Sequence, residues 1–359
     1  DLSDLNLIGV YIQEGEEYKQ TNEIPTSGYE FNNAESYCTI NNERDDTITL
    51  SFDMTTQNLT VTPLTKKGTK CYLYFDKVPS IPEIIEAAYG ENQDILAYDE
   101  TVDNNLRYIG ADPNNYVYFN CADYDSPSSS TCDLWRIIGI FNENSHGISG
   151  EKLVKIIRNE SIGDIYWDSA NTNNWSTASL QKTLNGDYLN GSGSYAATGI
   201  KNDTTRNMIA SVTWKLGSGI YAMTASMFYE QERGTTVNGN PTTWQGKIAL
   251  MYPSDYEYAT SGGATTNREV CLAELSDWSS SSFSDCKNND WIFNNDYQWT
   301  LTPGEYFYEV FNIELDGLVK TDSDGLAELK GVRPTLYLSK NITISGGDGT
   351  INNPYILKV

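Results

Sequence analysis

The chain has 359 residues, with 24 Lys plus Arg against 49 Asp plus Glu, one His and a net charge of −25 at pH 7. That length allows two or three domains and a substantial core. The acidity excludes the basic footprint that nucleic-acid binding needs and argues against docking on anionic lipid, and no apolar run is long enough for a membrane-spanning helix.

Tyrosine occurs 25 times and tryptophan 8 times, against 5 Met. With Asn, Ser, Thr and Gly between the aromatic runs, this predicts a β-rich protein. The six cysteines fall in three local pairs: Cys38 with Cys71, Cys121 with Cys132, and Cys271 with Cys286. Six cysteines allow fifteen pairings, and the nearest-neighbour set is the expectation. There is no C-x-x-C, and the lone His is far from every pair, which argues against a zinc site. An even count in an acidic, Tyr-rich chain favours an oxidising, extracellular setting. The sequence opens on Asp1 with no signal-peptide pattern, so a trimmed N-terminus is expected, with any anchor upstream.

In chain order, residues 1–77 read as β throughout. "LNLIGVYI" (5–12) is the first strand, and its apolar Leu5, Leu7 and Val10 suit a strand added to a neighbouring subunit. "DTITLSFDMTTQNLTVTPL" alternates at period two around a turn, and "TKCYLYFD" closes the unit. A Cys38–Cys71 staple predicts a small Ig-like β-sandwich. Residues 78–105 read as a short helix and linker: Ser80 as N-cap, Pro82 in the first turn, Ile84, Ile85 and Ala88 on one face, and Gly90 at the end. A second domain spans 106–359. "LRYIGADPNNYVYFNC" and "CDLWRIIGIF" form a hairpin with Cys121 and Cys132 at the neck of its loop. "KLVKIIRNESIG" continues the sheet. "STASLQKTLNGDYLN" reads as a helix capped by Ser176, with Leu180 and Leu184 inward. Apolar and aromatic runs follow at 207–217, 219–234, 244–259, 290–303 and 306–321. Residues 331–359, "GVRPTLYLSKNITISGGDGTINNPYILKV", read as a terminal β-meander that completes the sheet.

The order "LRYIGADPNNYVYFN", "LWRIIGIF", "GKIALMYPSDYEYA", "YQWTLTP" and the closing GVRP-x-L…GDGT-x-x-NPY run (Gly331 to Tyr355) resembles a family of uncharacterised secreted or surface proteins of gut Gram-positive bacteria. The likeness covers roughly residues 106–359. The W-x-L-x-P…GVRP pattern is also similar to C-type-lectin-like and formylglycine-generating-enzyme-like domains. That resemblance implies an antiparallel sheet with short helices and long disulfide-stapled loops, and binding more often than catalysis. The fold class expected for the whole chain is therefore β-rich α+β.

Chemistry-bearing residues are few. A Ser-His-Asp or Cys-His arrangement must use His146, which falls in a turn-rich segment and reads as a solvated loop histidine. Asp164 with Asp168, and Glu230 with Glu232, are the carboxylate pairs that a glycan-acting hydrolase could use, but surface and turn roles fit them better. "DSDG" supplies Asp322 and Asp324 as calcium candidates, with a plain β-turn as the simpler reading; no other cofactor is expected. Trp175 with Asn173 and Asn174 in "NTNNWS", and Trp278, mix rings with amides and serve as ligand-contact candidates. Arg333 is expected to be buried against a carboxylate. The reading is a non-enzymatic bacterial cell-surface protein that binds a protein or glycan on another surface. A filament or pilus subunit assembled through its N-terminal strand is the alternative, and a hydrolase the lesser one.

Overall fold

The computed structural model describes residues 5–63, 68–235, 239–321, 326 and 328–358, with the side chains of residues 5–7 left aside. The chain divides into two compact units, residues 1–80 and 81–359. It is a mixed α+β fold, and among the described residues no helix exceeds eight residues. None is long and apolar enough to cross a membrane.

The smaller unit is organised by the Thr69–Lys77 strand. Its residues alternate between buried and half-buried, the period-two signature of a strand covered on one face. Cys71, Leu73 and Phe75 point inward. Tyr72 and Tyr74 point the other way and stack on Tyr37 and Tyr11, with ring centroids 4.9 and 4.8 Å apart. Leu5–Glu14 pairs with this strand in parallel, while Tyr29–Phe31 and Tyr37–Ile40 pair along its other edge. The Thr49–Asp53 and Asn58–Thr62 hairpin forms a second, separate sheet. Its Leu50 and Val61 share one core with Val10, Leu73 and Phe75. Cys38 and Cys71 stand opposite each other in the ladder and are disulfide-bonded.

Val10 is thus part of its own unit's core rather than a free knob. The Leu5–Glu14 strand already lies inside a sheet, with Glu17–Thr21 covering its Val10–Glu14 half. The side chains of Leu5 and Leu7 lie outside the described residues.

In the larger unit the Ile81–Ala88 helix packs Ile81 and Ile85 into the core. A nine-stranded sheet runs in the order Ile248–Ala249, Thr335–Tyr337, Leu153–Arg158, Asp133–Phe141, Tyr116–Phe119, Tyr355–Lys358 and Thr343–Gly346. Leu106–Tyr108 pairs with both Asp133–Phe141 and Leu96–Tyr98. Trp135–Phe141, apolar apart from Arg136, is buried throughout, as a central strand covered on both faces must be. Gly139 sits at a register shift in this strand, and a Cβ there would fall 2.3 Å from the Leu106 carbonyl oxygen. Only glycine lets the Leu106–Tyr108 backbone approach so closely. A five-stranded sheet runs Asp164–Tyr166, Leu329–Gly331, Gln298–Pro303, Val310–Ile313 and Val319–Thr321. Cys121–Cys132 closes a loop just beyond the Phe119–Asp133 pair, and Cys271–Cys286 ties two short helices together.

Two expectations need correction. The closing segment is not a meander, because Leu329–Gly331 joins one sheet and Thr335–Tyr337 the other. Only Thr343–Gly346 and Tyr355–Lys358 form a hairpin, and the latter pairs in parallel with Tyr116–Phe119. Ser176 does not cap the Ser179–Thr183 helix; Asp168 accepts the Ser179 N–H at 2.9 Å instead. The run 219–234, with its aromatic residues, contains the Ala225–Glu232 helix, capped by Thr224.

The Cys38–Cys71 bond closes a 33-residue separation. Replacing both cysteines by alanine is expected to destabilise the smaller unit by about 3–4 kcal/mol. Denaturant unfolding followed by tyrosine fluorescence measures this, and the transition of the larger unit should not move.

Candidate functional site

Asn173 holds the most distinctive surface feature of the larger unit. It is buried, and its Nδ2 donates to the carbonyl oxygens of Tyr306 at 2.8 Å, Glu309 at 3.1 Å and Gly304 at 3.4 Å. Its backbone N–H donates to the Phe307 carbonyl at 2.7 Å, and its Oδ1 accepts from Asn240 Nδ2 at 2.9 Å. One amide therefore braces the whole loop that joins the Gln298–Pro303 and Val310–Ile313 strands. The loop turns its aromatic residues outward: Tyr306 is 55% and Phe307 62% exposed. Tyr306 stacks on Tyr308 with centroids 5.9 Å apart at 12°, and Phe307 meets Tyr308 edge-on at 5.1 Å. The Gly219 N–H donates to the Pro303 carbonyl at 2.9 Å, which brings a second loop alongside, carrying Ile220 and the 78%-exposed Tyr221. Exposed aromatic rings on a pre-ordered loop bind partners at low entropic cost.

The sequence candidates sort differently around this loop. Trp175 is only 1% exposed, packed on Trp167 at 5.2 Å and Trp244 at 6.1 Å, so its ring is part of the core and not a contact surface. Trp278 is buried as well, donating from Nε1 to the Cys271 carbonyl at 3.3 Å and packing on Tyr256. Asn174 is half-buried and accepts the Ser176 N–H. The amides that surround these rings in the sequence are spent on backbone hydrogen bonds. The "YFY" triplet, Tyr306–Tyr308, was the readable signal: three adjacent rings cannot all face one core, and Tyr306 and Phe307 are the exposed two.

A second cluster is buried and ionic. Asp255 lies in the first turn of the Pro253–Glu257 helix. Its Oδ1 accepts from Arg107 Nη1 at 2.9 Å, and its Oδ2 accepts from Lys155 Nζ and from the Tyr252 N–H. Arg107 Nε donates to Asp99 at 2.9 Å. Beside this group, Glu232 accepts from the Ser254 N–H at 3.0 Å and pairs with Arg233 at 3.2 Å, and Arg233 lies over the Tyr229 ring at 3.3 Å. Burial pushes Asp255 upward, but Lys155 and Arg107 outweigh it and hold the carboxyl below its ordinary value. Burial brings Lys155 down to about 8 and lifts Glu232 to about 7. Lys155 and Arg107 were legible as charges flanked by apolar residues in the strands "LVKIIR" and "LRY", where a cation must find a buried partner.

Other expectations are revised by burial. His146 is not solvated: it is buried, it accepts the Ile148 N–H at Nδ1, and Nε2 faces the Phe141 carbonyl at 3.2 Å. Burial lowers its pKa, which favours the neutral ring. Arg333 is buried, but its hydrogen bonds go to the carbonyls of Arg158 and Ile292 and to the Gln298 side chain rather than to a carboxylate. Asp168 is engaged with Thr172 and Ser179, while Asp164 is exposed. Glu230 and Glu232 point to opposite sides of one helix, one exposed and one buried. Asp322 and Asp324 lie outside the described residues; among the described residues no group of three or more His, Cys, Asp or Glu side chains is placed to hold a metal. No family model, curated protein or solved structure matches this chain.

Because Glu232 titrates near 7 in the folded chain but near 4.5 unfolded, the folded state binds the extra proton, and the group's contribution to stability falls as pH rises from about 4.5 to about 7. Glu232→Gln is expected to remove this slope, which amounts to about 3 kcal/mol across that window. Paired urea titrations of both proteins at a series of pH values give the difference directly.

Proposed function

We propose that this chain is a non-enzymatic extracellular protein of a bacterial cell surface that binds a protein or glycan partner through the larger unit. The carrying observation is the Tyr306–Tyr308 loop, exposed at its tip and fixed at its base by Asn173. Rigid, amphipathic rings contribute binding area without the ordering cost of long side chains. The larger unit is read as a lectin-like head, and the smaller unit as a β-sandwich spacer. Three disulfides suit an oxidising exterior. The hydrolase reading is weakened by the carboxylate pairs, whose members are engaged in capping or divided between the two faces of one helix.

The filament reading keeps one specific support. The Glu17–Thr21 strand pairs with Val10–Glu14 alone, so among the described residues Leu5–Gly9 has one edge without a strand partner. An open edge is where a neighbouring strand adds. Exposed Ile8 lies on this half. If filaments form, Ile8→Lys should abolish them in negative-stain micrographs while leaving a folded monomer; filaments that persist in the variant reject strand addition at this edge.

For the binding reading, replacing Tyr306 and Phe307 together by serine should change stability by no more than about 0.5 kcal/mol, as for ordinary surface positions. It should reduce binding on a glycan array or to intact cells at least tenfold. Asn173→Ala should weaken binding as well, and should lower stability by about 1–3 kcal/mol because buried carbonyls lose their donor. Unchanged binding in the Tyr306/Phe307 variant sinks the assignment of this loop.

A further inference from the structure

The ion cluster contains one pair whose chemistry goes beyond charge attraction. Lys155 Nζ lies against Asp255 Oδ2, with the two side chains 0% and 1% exposed. Neither group is free to leave. Lys155 sits in a strand paired on both sides, to Gly139 and to Tyr337. The Asp255 carboxylate is held by Arg107 Nη1 at 2.9 Å and by the Tyr252 N–H at 2.9 Å. Four rings enclose the amine: Tyr252 at 4.4 Å, Phe141 at 5.2 Å, Trp214 at 5.5 Å and Tyr337 at 5.6 Å. A nucleophile and an acyl carbon fixed together in a dry site react with effective molarities of about 10⁵–10⁸ M.

We propose that Lys155 and Asp255 condense into an intramolecular amide that cross-links the central sheet to the Pro253–Glu257 helix. The step begins when one proton moves from Nζ to Oδ2, turning the ammonium carboxylate into an amine and a carboxylic acid. Nζ then adds to Cγ. The Cγ–Oδ2 bond breaks, and Oδ2 leaves as water with that first proton and a second from nitrogen. No atom is oxidised or reduced, and no co-reactant is consumed.

The surrounding groups match each demand of this step. Arg107 Nη1 already donates to Oδ1, the oxygen that gathers negative charge when Nζ adds, so a fixed cation stabilises the tetrahedral species. The lowered pKa of Lys155, about 8, leaves a free-amine fraction near neutral pH. The same Arg107 and Lys155 charges hold Asp255 ionised, so the reactive neutral pair is the minor form and the step is slow rather than forbidden. Proton carriers are at hand. Glu232, lifted to about 7, binds both the N–H and the hydroxyl of Ser254, the residue before Asp255. The Tyr337 hydroxyl, on the cross-strand partner of Lys155, is buried without a hydrogen-bond partner among the described residues. The aromatic walls keep out the water that would hydrolyse the product.

Intact mass spectrometry of the full chain, denatured and reduced, decides the matter. The expected mass is lighter than the sequence by one water, and a protease digest should contain a branched peptide joining the segments around Lys155 and Asp255. Mapping is required because an Asp–Gly step such as Asp316-Gly317 can also lose water by cyclising. Lys155→Arg should have the full sequence mass. Glu232→Gln, folded by circular dichroism, should show a mixture of linked and unlinked masses that matures more slowly than wild type. A wild-type mass equal to the sequence, or a water loss that maps elsewhere or survives Lys155→Arg, overturns the cross-link and leaves an ion pair.

Discussion

The larger unit is organised around the burial of Asp255 between two cations. Arg107 and Lys155 come from two strands of the nine-stranded sheet, and Asp255 from a five-residue helix. Each cation interrupts an apolar run, and each would impose several kcal/mol of desolvation if left alone. The helix is too short to be stable by itself. It gains its place because its first turn presents the one carboxylate that both strands require, while the Tyr252 N–H at its cap completes that carboxylate's hydrogen bonds. Position and charge are thus specified together, which is the role in which buried polar groups most clearly help a fold choose one arrangement.

The aromatic loop follows the same logic with a neutral group at its centre. Asn173 supplies two N–H donors on its amide and one on its backbone, and the loop's carbonyls take them. The rings stack on one another, and those of Tyr306 and Phe307 stay largely open to the outside. Rigidity at the base and apolar exposure at the tip come from a single side chain. Asn173 in "NTNNWS" is therefore the loop's foundation, and the exposed rings lie more than a hundred residues further along the chain.

What was legible in the sequence was local. The alternation of Cys71, Leu73 and Phe75 with Tyr72 and Tyr74 is visible because a one-sided strand has period two. The apolar run of residues 137–141 announces a strand buried on both faces. Position 146 misled because a short polar segment reads as a surface turn, whereas His146 has both ring nitrogens engaged inside the protein. Ala225–Glu232 is not assignable from its own residues, because Met, Phe and Tyr suit a strand as readily as a helix, and only its packing partners decide. The closing run misled for a topological reason: strands adjacent in sequence were expected to be adjacent in space, yet Val332, Arg333 and Pro334 carry the chain from one sheet to the other. Which strand accepts which is a long-range fact, and period-two patterning is silent on it.

That crossing has a consequence for synthesis. Thr335–Tyr337 fills the slot between Leu153–Arg158 and Ile248–Ala249, so both of those strands wait for a segment translated much later. Until residue 337 has left the ribosome, the growing chain carries two apolar strand edges without their shared partner. Domains built from such distant pairings fold slowly and expose sticky intermediates. The larger unit therefore cannot complete its sheet before residues 335–337 are available, and a chain that crosses a membrane before folding would carry those open edges with it. The smaller unit, whose strands all lie within residues 5–77, is under no such delay and can be finished first.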